Sequence, residues 1–146
     1  MNYNNYFNFL KNLPKKLNNF YNKKSKSSLK ISNKSKNKKV FDPVTNLDKA
    51  FEKFIRNIIV NQFPKDAILG EEFLEKYSDN NYKWFIDPID GTKAFMVGAP
   101  TWSNLIGLTH KNRPVLGLVN FPALNKFYVN DQKKSYLINN KKIVLK

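Results

Sequence analysis

Between residues 45 and 63 the apolar positions fall on one line. Leu47, Ala50, Phe51, Phe54, Ile55, Ile58 and Ile59 recur every three or four residues, which predicts an amphipathic helix with one buried face. Thr45 and Asp48 stand three apart at its start, the spacing of a capping box, and Phe63-Pro64 should end it. Upstream, Tyr3, Phe7, Leu10, Leu13, Leu17 and Phe20 carry the same period. They predict a first helix over 3–21, which Pro14 should kink or divide. From residue 22 to 39 the chain is Lys, Ser and Asn with almost nothing to bury, so a loop or flexible linker is expected there.

The period then shortens. Ala67-Ile68-Leu69 reads as a short buried strand leading into Gly70-Glu71-Glu72, followed by a helical turn and the polar turn Ser78-Asp79-Asn80-Asn81. Residues 82–86 are rich in aromatics and run into a proline, so they read as a strand whose end delivers Asp87. Thr92 to Met96 can open a helix that Gly98-Ala99-Pro100 ends. Strand-like runs follow at 102–110, 115–121, 126–129 and 136–145, with turns at Lys111-Asn112-Arg113-Pro114, Phe121-Pro122 and Asn139-Asn140. The fold class expected is α+β, with N-terminal helices packed on a mostly antiparallel sheet. Residues 1–39 form the helix and basic linker, and 40–146 the α+β domain.

Composition narrows the chemistry. The 146 residues contain no cysteine and one histidine, His110. Thiolate zinc sites and His-rich sites are thereby excluded, and a catalytic metal must be held by oxygen, which favours hard cations. The formal charge of +15 is concentrated in residues 1–40, with eleven lysines and no acid. Arginine is the better residue for bidentate phosphate and base contacts, yet the chain has 24 lysines and two arginines. The basic arm therefore reads as a solvated lysine-rich surface, and nucleic acid is not an expected partner. No run is long and apolar enough for a membrane span and no secretory signal opens the chain, so a cytoplasmic location is expected.

Asp87 and Asp90 lie in a segment that enters as a strand and leaves through Gly91. Pro88 holds Asp87 extended, and Gly91 permits a backbone other residues resist. Such a turn can aim two carboxylates and an intervening carbonyl at one point, where their mutual repulsion calls for a cation. If Thr92 starts a helix, the amides of Gly91 and Thr92 sit at its positive end, where phosphate is stabilised. Glu71, arriving from a neighbouring strand, is the candidate third carboxylate. Strand alternation should turn Glu72 the other way.

The ordered segments Asp42-Pro43-Val44-Thr45 with Asp48, Gly70-Glu71-Glu72, and Trp84 to Thr92 resemble the inositol monophosphatase family from about residue 39 to 143. The stretch Gly91 to Phe95 followed by Gly98 to Trp102 is most similar to its histidinol-phosphatase branch, although Lys93, Trp102 and Ser103 also read as surface, core and strand residues. The resemblance implies the N-terminal half of a layered αβαβα fold and a Mg²⁺-dependent phosphomonoesterase acting on histidinol phosphate. Inositol 1-phosphate is the alternative substrate, and an inactive remnant or a basic binding module the alternative role. It further implies that Glu71, Asp87 and the Ile89 carbonyl bind one Mg²⁺, and that Asp87 and Asp90 hold a second. Thr92, supported by Asp42, and Glu71 would activate water, with the Gly91 and Thr92 amides on the phosphate. Family members run to near twice this length, and their second half supplies a further aspartate. The expectation is a truncated or split phosphatase, completed as a homodimer or by a complementing C-terminal chain.

Overall fold

The computed structural model describes residues 3–25, 28–37, 41, 43–139 and 141–145. In chain order the elements are α1 (Asn4–Lys24), β1 (Ile31–Asn33), β2 (Pro43–Thr45), α2 (Asn46–Gln62), β3 (Ala67–Gly70), β4 (Tyr82–Asp90), α3 (Thr92–Met96), β5 (Ser103–His110), β6 (Arg113–Phe121), β7 (Lys126–Asn130), β8 (Ser135–Asn139) and β9 (Lys141–Leu145). Strands β3 to β9 form one seven-stranded sheet in sequence order. The β3–β4 pair is parallel and the others antiparallel. This is the expected α+β plan of helices on a mostly antiparallel sheet.

One face of the sheet carries the core. Trp84, Ile86, Ile106, Leu108, Leu118 and Val129 pack with Leu10, Leu13 and Leu17 of α1 and Phe51, Ile55 and Ile59 of α2. Each such side chain contributes about 1.5–3 kcal/mol on burial. The opposite face is open, with Leu69 and Phe85 respectively 37% and 40% exposed.

Three local expectations change. α1 runs unbroken through Pro14, which is itself buried. A proline inside a helix gives up one backbone hydrogen bond, but Leu10 and Leu13 before it and Leu17 after it are pinned in the core, and that burial outweighs the loss. Within the stretch expected to be linker, Ile31–Asn33 pairs with Pro43–Thr45 as a short antiparallel ribbon. The α1 leucines also share one core with the residues beyond 43. No helical turn forms after Glu72, where the chain is irregular apart from a bridge between Ile68 and Lys76.

α2 begins as its spacing predicts. Thr45 Oγ1 accepts the Leu47 and Asp48 amides at 3.1 and 3.4 Å, and Asp48 Oδ2 accepts the Thr45 amide at 2.7 Å. No described helix is long and apolar enough to cross a membrane.

Candidate metal and phosphate site

The parallel register of β3 and β4 sets Leu69 beside Phe85 and Gly70 beside Ile86. One step further brings Glu71 to Asp87, on the open face of the sheet, where the two carboxyl groups meet. Together they edge a hollow of about 390 Å³ that Leu69, Phe85 and Leu105 also line.

Asp87 is the electrostatic centre of this arrangement. Burial, then the neighbouring charges of Glu71 and Asp90, push its carboxyl up to about 7, against a hydrogen bond from the Ile89 amide. Its Oδ1 is buried and has no hydrogen-bond partner. Paired carboxylates with an unsatisfied buried oxygen form a hard donor set, and a divalent cation fits it.

The Asp87–Asp90 segment is a β-bulge. Asp87 pairs with Leu105 and Asp90 with Ser103, so three steps on β4 match two on β5. A bulge lets proline sit inside a central strand and re-aims the side chains around it. Pro88 and Ile89 turn inward and are buried, while Asp90 emerges at the solvent edge. There Asp90 Oδ2 accepts the Ser103 hydroxyl at 3.2 Å. Trp102 is buried in the core and Lys93 is exposed.

The structure thus joins Glu71 with Asp87 and leaves Asp90 turned to Ser103. Among the described residues no group of three or more acidic or histidine side chains is assembled for a metal ion. The Ile89 carbonyl accepts the Thr92 hydroxyl at 3.1 Å.

Thr92 opens α3 directly after Gly91, whose φ of 82° lies in the left-handed region that glycine enters without strain. This helix start has no side-chain cap. Thr92 Oγ1 also lies 3.4 Å from Asp48 Oδ1. Asp48 therefore serves twice, capping α2 with one oxygen and reaching α3 with the other. Asp42, the expected support for Thr92, lies outside the described residues.

Two further participants are absent from the sequence-based set. Lys34, just past β1, places Nζ 2.7 Å from Glu71 Oε1 and 2.5 Å from Glu72 Oε1. Burial works against its charge, but the hydrogen bonds to Glu71 and Glu72 prevail and hold its ammonium above the ordinary lysine range. Glu72 therefore shares an ammonium with Glu71 rather than facing away. β3 ends at Gly70, so strand alternation does not extend to it. Its side chain is 3% exposed, and burial raises its carboxyl in spite of Lys34.

The sequence profile of the inositol monophosphatase family matches residues 4–146. A histidinol-phosphatase of Chlorobaculum parvum is 41% identical over 97 residues, covering 66% of this chain and 38% of its own length. A fructose-1,6-bisphosphatase/inositol-1-monophosphatase of Aquifex aeolicus is 35% identical over 105 residues, covering 72% and 40% respectively. The solved structure of a Thermotoga maritima IMPase superposes with a TM-score of 0.72 at 26% identity, over 94% of this chain and 50% of that one. The chain spans about two fifths of the length of these curated relatives and half of the solved structure. With its helices on a mostly antiparallel sheet, its acidic bulge following a parallel strand pair, and a profile match across nearly its whole length, this chain belongs to the inositol monophosphatase family.

Proposed function

We propose that this chain supplies the metal-binding half of a Mg²⁺-dependent phosphomonoesterase acting on a small alcohol phosphate. Histidinol phosphate is the first-choice substrate and inositol 1-phosphate the second. The observation that carries the reading is the meeting of Glu71 and Asp87 around a buried carboxylate oxygen with no partner. Family membership supports the reaction class, and the higher identity of the histidinol-phosphatase relative supports the order of substrates.

Glu71, Asp87, the Ile89 carbonyl and Asp90 would hold the cation, with Asp90 rotating away from Ser103. Bound Mg²⁺ supplies positive charge against the phosphate and acidifies nearby water. Thr92 directs its hydroxyl proton toward the Ile89 carbonyl and Asp48, which leaves oxygen lone pairs to accept a hydrogen bond from the attacking water. Glu71 would take that water's proton, and the Gly91 and Thr92 amides would hold phosphate oxygens. Contacts to the alcohol part, and a further aspartate, belong in this reading to a C-terminal complement or a second copy. The open sheet face is the surface available for it.

The test is Mg²⁺ binding by calorimetry, with phosphate release from both esters, for the wild type and Asp87→Asn. Binding and Mg²⁺-dependent release that vanish in Asp87→Asn support the assignment. Mg²⁺ affinity that survives the substitution sinks it.

A further inference from the structure

Glu52 is wholly buried on α2, although a carboxylate so placed is costly unless it is paired and hydrogen-bonded. Its Oε1 lies 2.7 Å from Arg56 Nε, one turn along the same helix. Its Oε2 accepts the backbone amide of Glu72 at 2.6 Å. Arg56 continues outward, donating from Nη2 to the Phe73 carbonyl at 3.1 Å, with its guanidinium 5.9 Å from the centre of the Phe73 ring.

The carboxylate also fills the space that a side chain at residue 70 would need. A Cβ added to Gly70 would lie 2.0 Å from Glu52 Oε1 and 2.3 Å from its Cδ. The register explains this, because Gly70 pairs with Ile86 on the helix-covered face. Segment 70–73 is thus packed against α2 at Gly70 and hydrogen-bonded to it at the Glu72 amide and the Phe73 carbonyl. Glu71 sits between the first two of these anchors.

One turn before Glu52 on the same helix, Asp48 reaches Thr92. Residues 48, 52 and 56 recur every four positions and so form one polar line along a single helix face. That line touches both Thr92 and the Glu71 segment, and among the described residues neither Glu52 nor Arg56 is hydrogen-bonded or ion-paired to Glu71, Asp87 or Asp90.

We infer that Glu52, braced by Arg56, is the positioning residue of the metal site, fixing the Gly70–Phe73 segment so that Glu71 is delivered to Asp87. The inference rests on the reading of Glu71 as a metal ligand, and its test separates the two. Mn²⁺ affinity of the full chain, by electron paramagnetic resonance, and amide hydrogen exchange are measured for the wild type, Glu71→Gln, Glu52→Gln and Glu52→Ala. Glu71→Gln tests the ligand reading alone. If the wild type binds no Mn²⁺, or Glu71→Gln binds as well as wild type, that reading fails while the exchange data still judge Glu52.

Glu52→Ala should weaken Mn²⁺ binding by about tenfold, the lower end of what outer-shell partners of metal ligands contribute. It should also speed exchange at the Glu72 amide, with β5 and β6 unchanged. A purely structural role would instead raise exchange across the whole sheet. Glu52→Gln retains an acceptor for the Glu72 amide and should recover most of both losses. Should Glu52→Ala fail to fold, Arg56→Met takes its place with the same expected direction. Unchanged exchange at Glu72 in Glu52→Ala, or in Arg56→Met where it stands in, overturns the inference, as does exchange raised uniformly across the sheet.

Discussion

The side-chain amide of Asn104 donates to the main-chain carbonyl of Pro88 at 2.6 Å, from a position with no solvent exposure. Asn104 Oδ1 in turn accepts from Asn120 Nδ2 at 2.9 Å, and Asn120 Nδ2 also donates to Asn18 Oδ1 at 3.0 Å. The acidic bulge is therefore tied through two buried amides to α1. Asn104→Leu would leave the Pro88 carbonyl and one Asn120 hydrogen without partners. Each buried orphan costs roughly 1–3 kcal/mol, so a loss of about 3 kcal/mol in urea-unfolding stability is expected. A loss below about 1 kcal/mol would show that the tie does not hold the bulge.

Lys34 competes with any cation for Glu71. Partly exposed ion pairs are worth roughly 0.2–1 kcal/mol each, and Lys34 makes two. Lys34→Met should accordingly tighten Mg²⁺ binding roughly two- to tenfold by titration calorimetry, within the range those pair energies allow. Weaker binding in the variant would mean that Lys34 assists the cation.

Asp66 offers a pH reporter away from the metal site. Its Oδ2 accepts the Trp84 indole Nε1–H at 2.9 Å and its Oδ1 the Asn80 amide at 2.7 Å. Burial nevertheless raises its carboxyl above the ordinary value of 3.8, with the Trp84 and Tyr6 hydrogen bonds opposing. A raised carboxyl in the folded state favours the folded protein most below 3.8, and that contribution is lost as pH rises through the folded value. The Trp84 indole proton resonance should titrate with a midpoint above 3.8. A midpoint below it would reverse the sign of the linkage.

The two glycines flanking the site should respond to alanine for different reasons. At Gly91 an added Cβ meets nothing closer than 3.6 Å, so the cost is the positive φ alone, roughly 1–2 kcal/mol. At Gly70 the same change drives Cβ into the Glu52 carboxylate and should cost clearly more, with segment 70–73 displaced. Thermal unfolding of the two variants side by side checks the order, and equal losses would remove the distinction.

Much of this was legible from local pattern. The stripe from Leu47 to Ile59, the Thr45–Asp48 cap and the start of α3 at Thr92 are set by neighbours in sequence, and they appear where expected. The Glu71–Asp87 meeting was foreseeable because Glu71 directly follows one short strand and Asp87 closes the aromatic run expected beside it, although that strand continues through Asp87 to Asp90. What escaped depends on contacts distant in sequence. Pro14 stays helical because a core built from residues beyond 40 holds its flanks. Lys34 looked like one more solvated lysine in an acid-free arm, and its partners lie 37 and 38 positions away. Asp48 was legible as a cap, but its second oxygen's reach to Thr92 was not, and Glu52 and Arg56 stand only as an i,i+4 charge pair whose burial depends on the distant segment 70–73.

Glu52 and Gly70 occupy one volume between them, the first supplying the atoms that the second lacks. Residue 70 can therefore gain a side chain only where residue 52 is shortened. A lineage that enlarges residue 70 must first shorten residue 52, and on doing so it gives up the anchor for Glu72. A side chain at residue 70 and the carboxylate anchor of the Glu72 amide are thus mutually exclusive on this backbone.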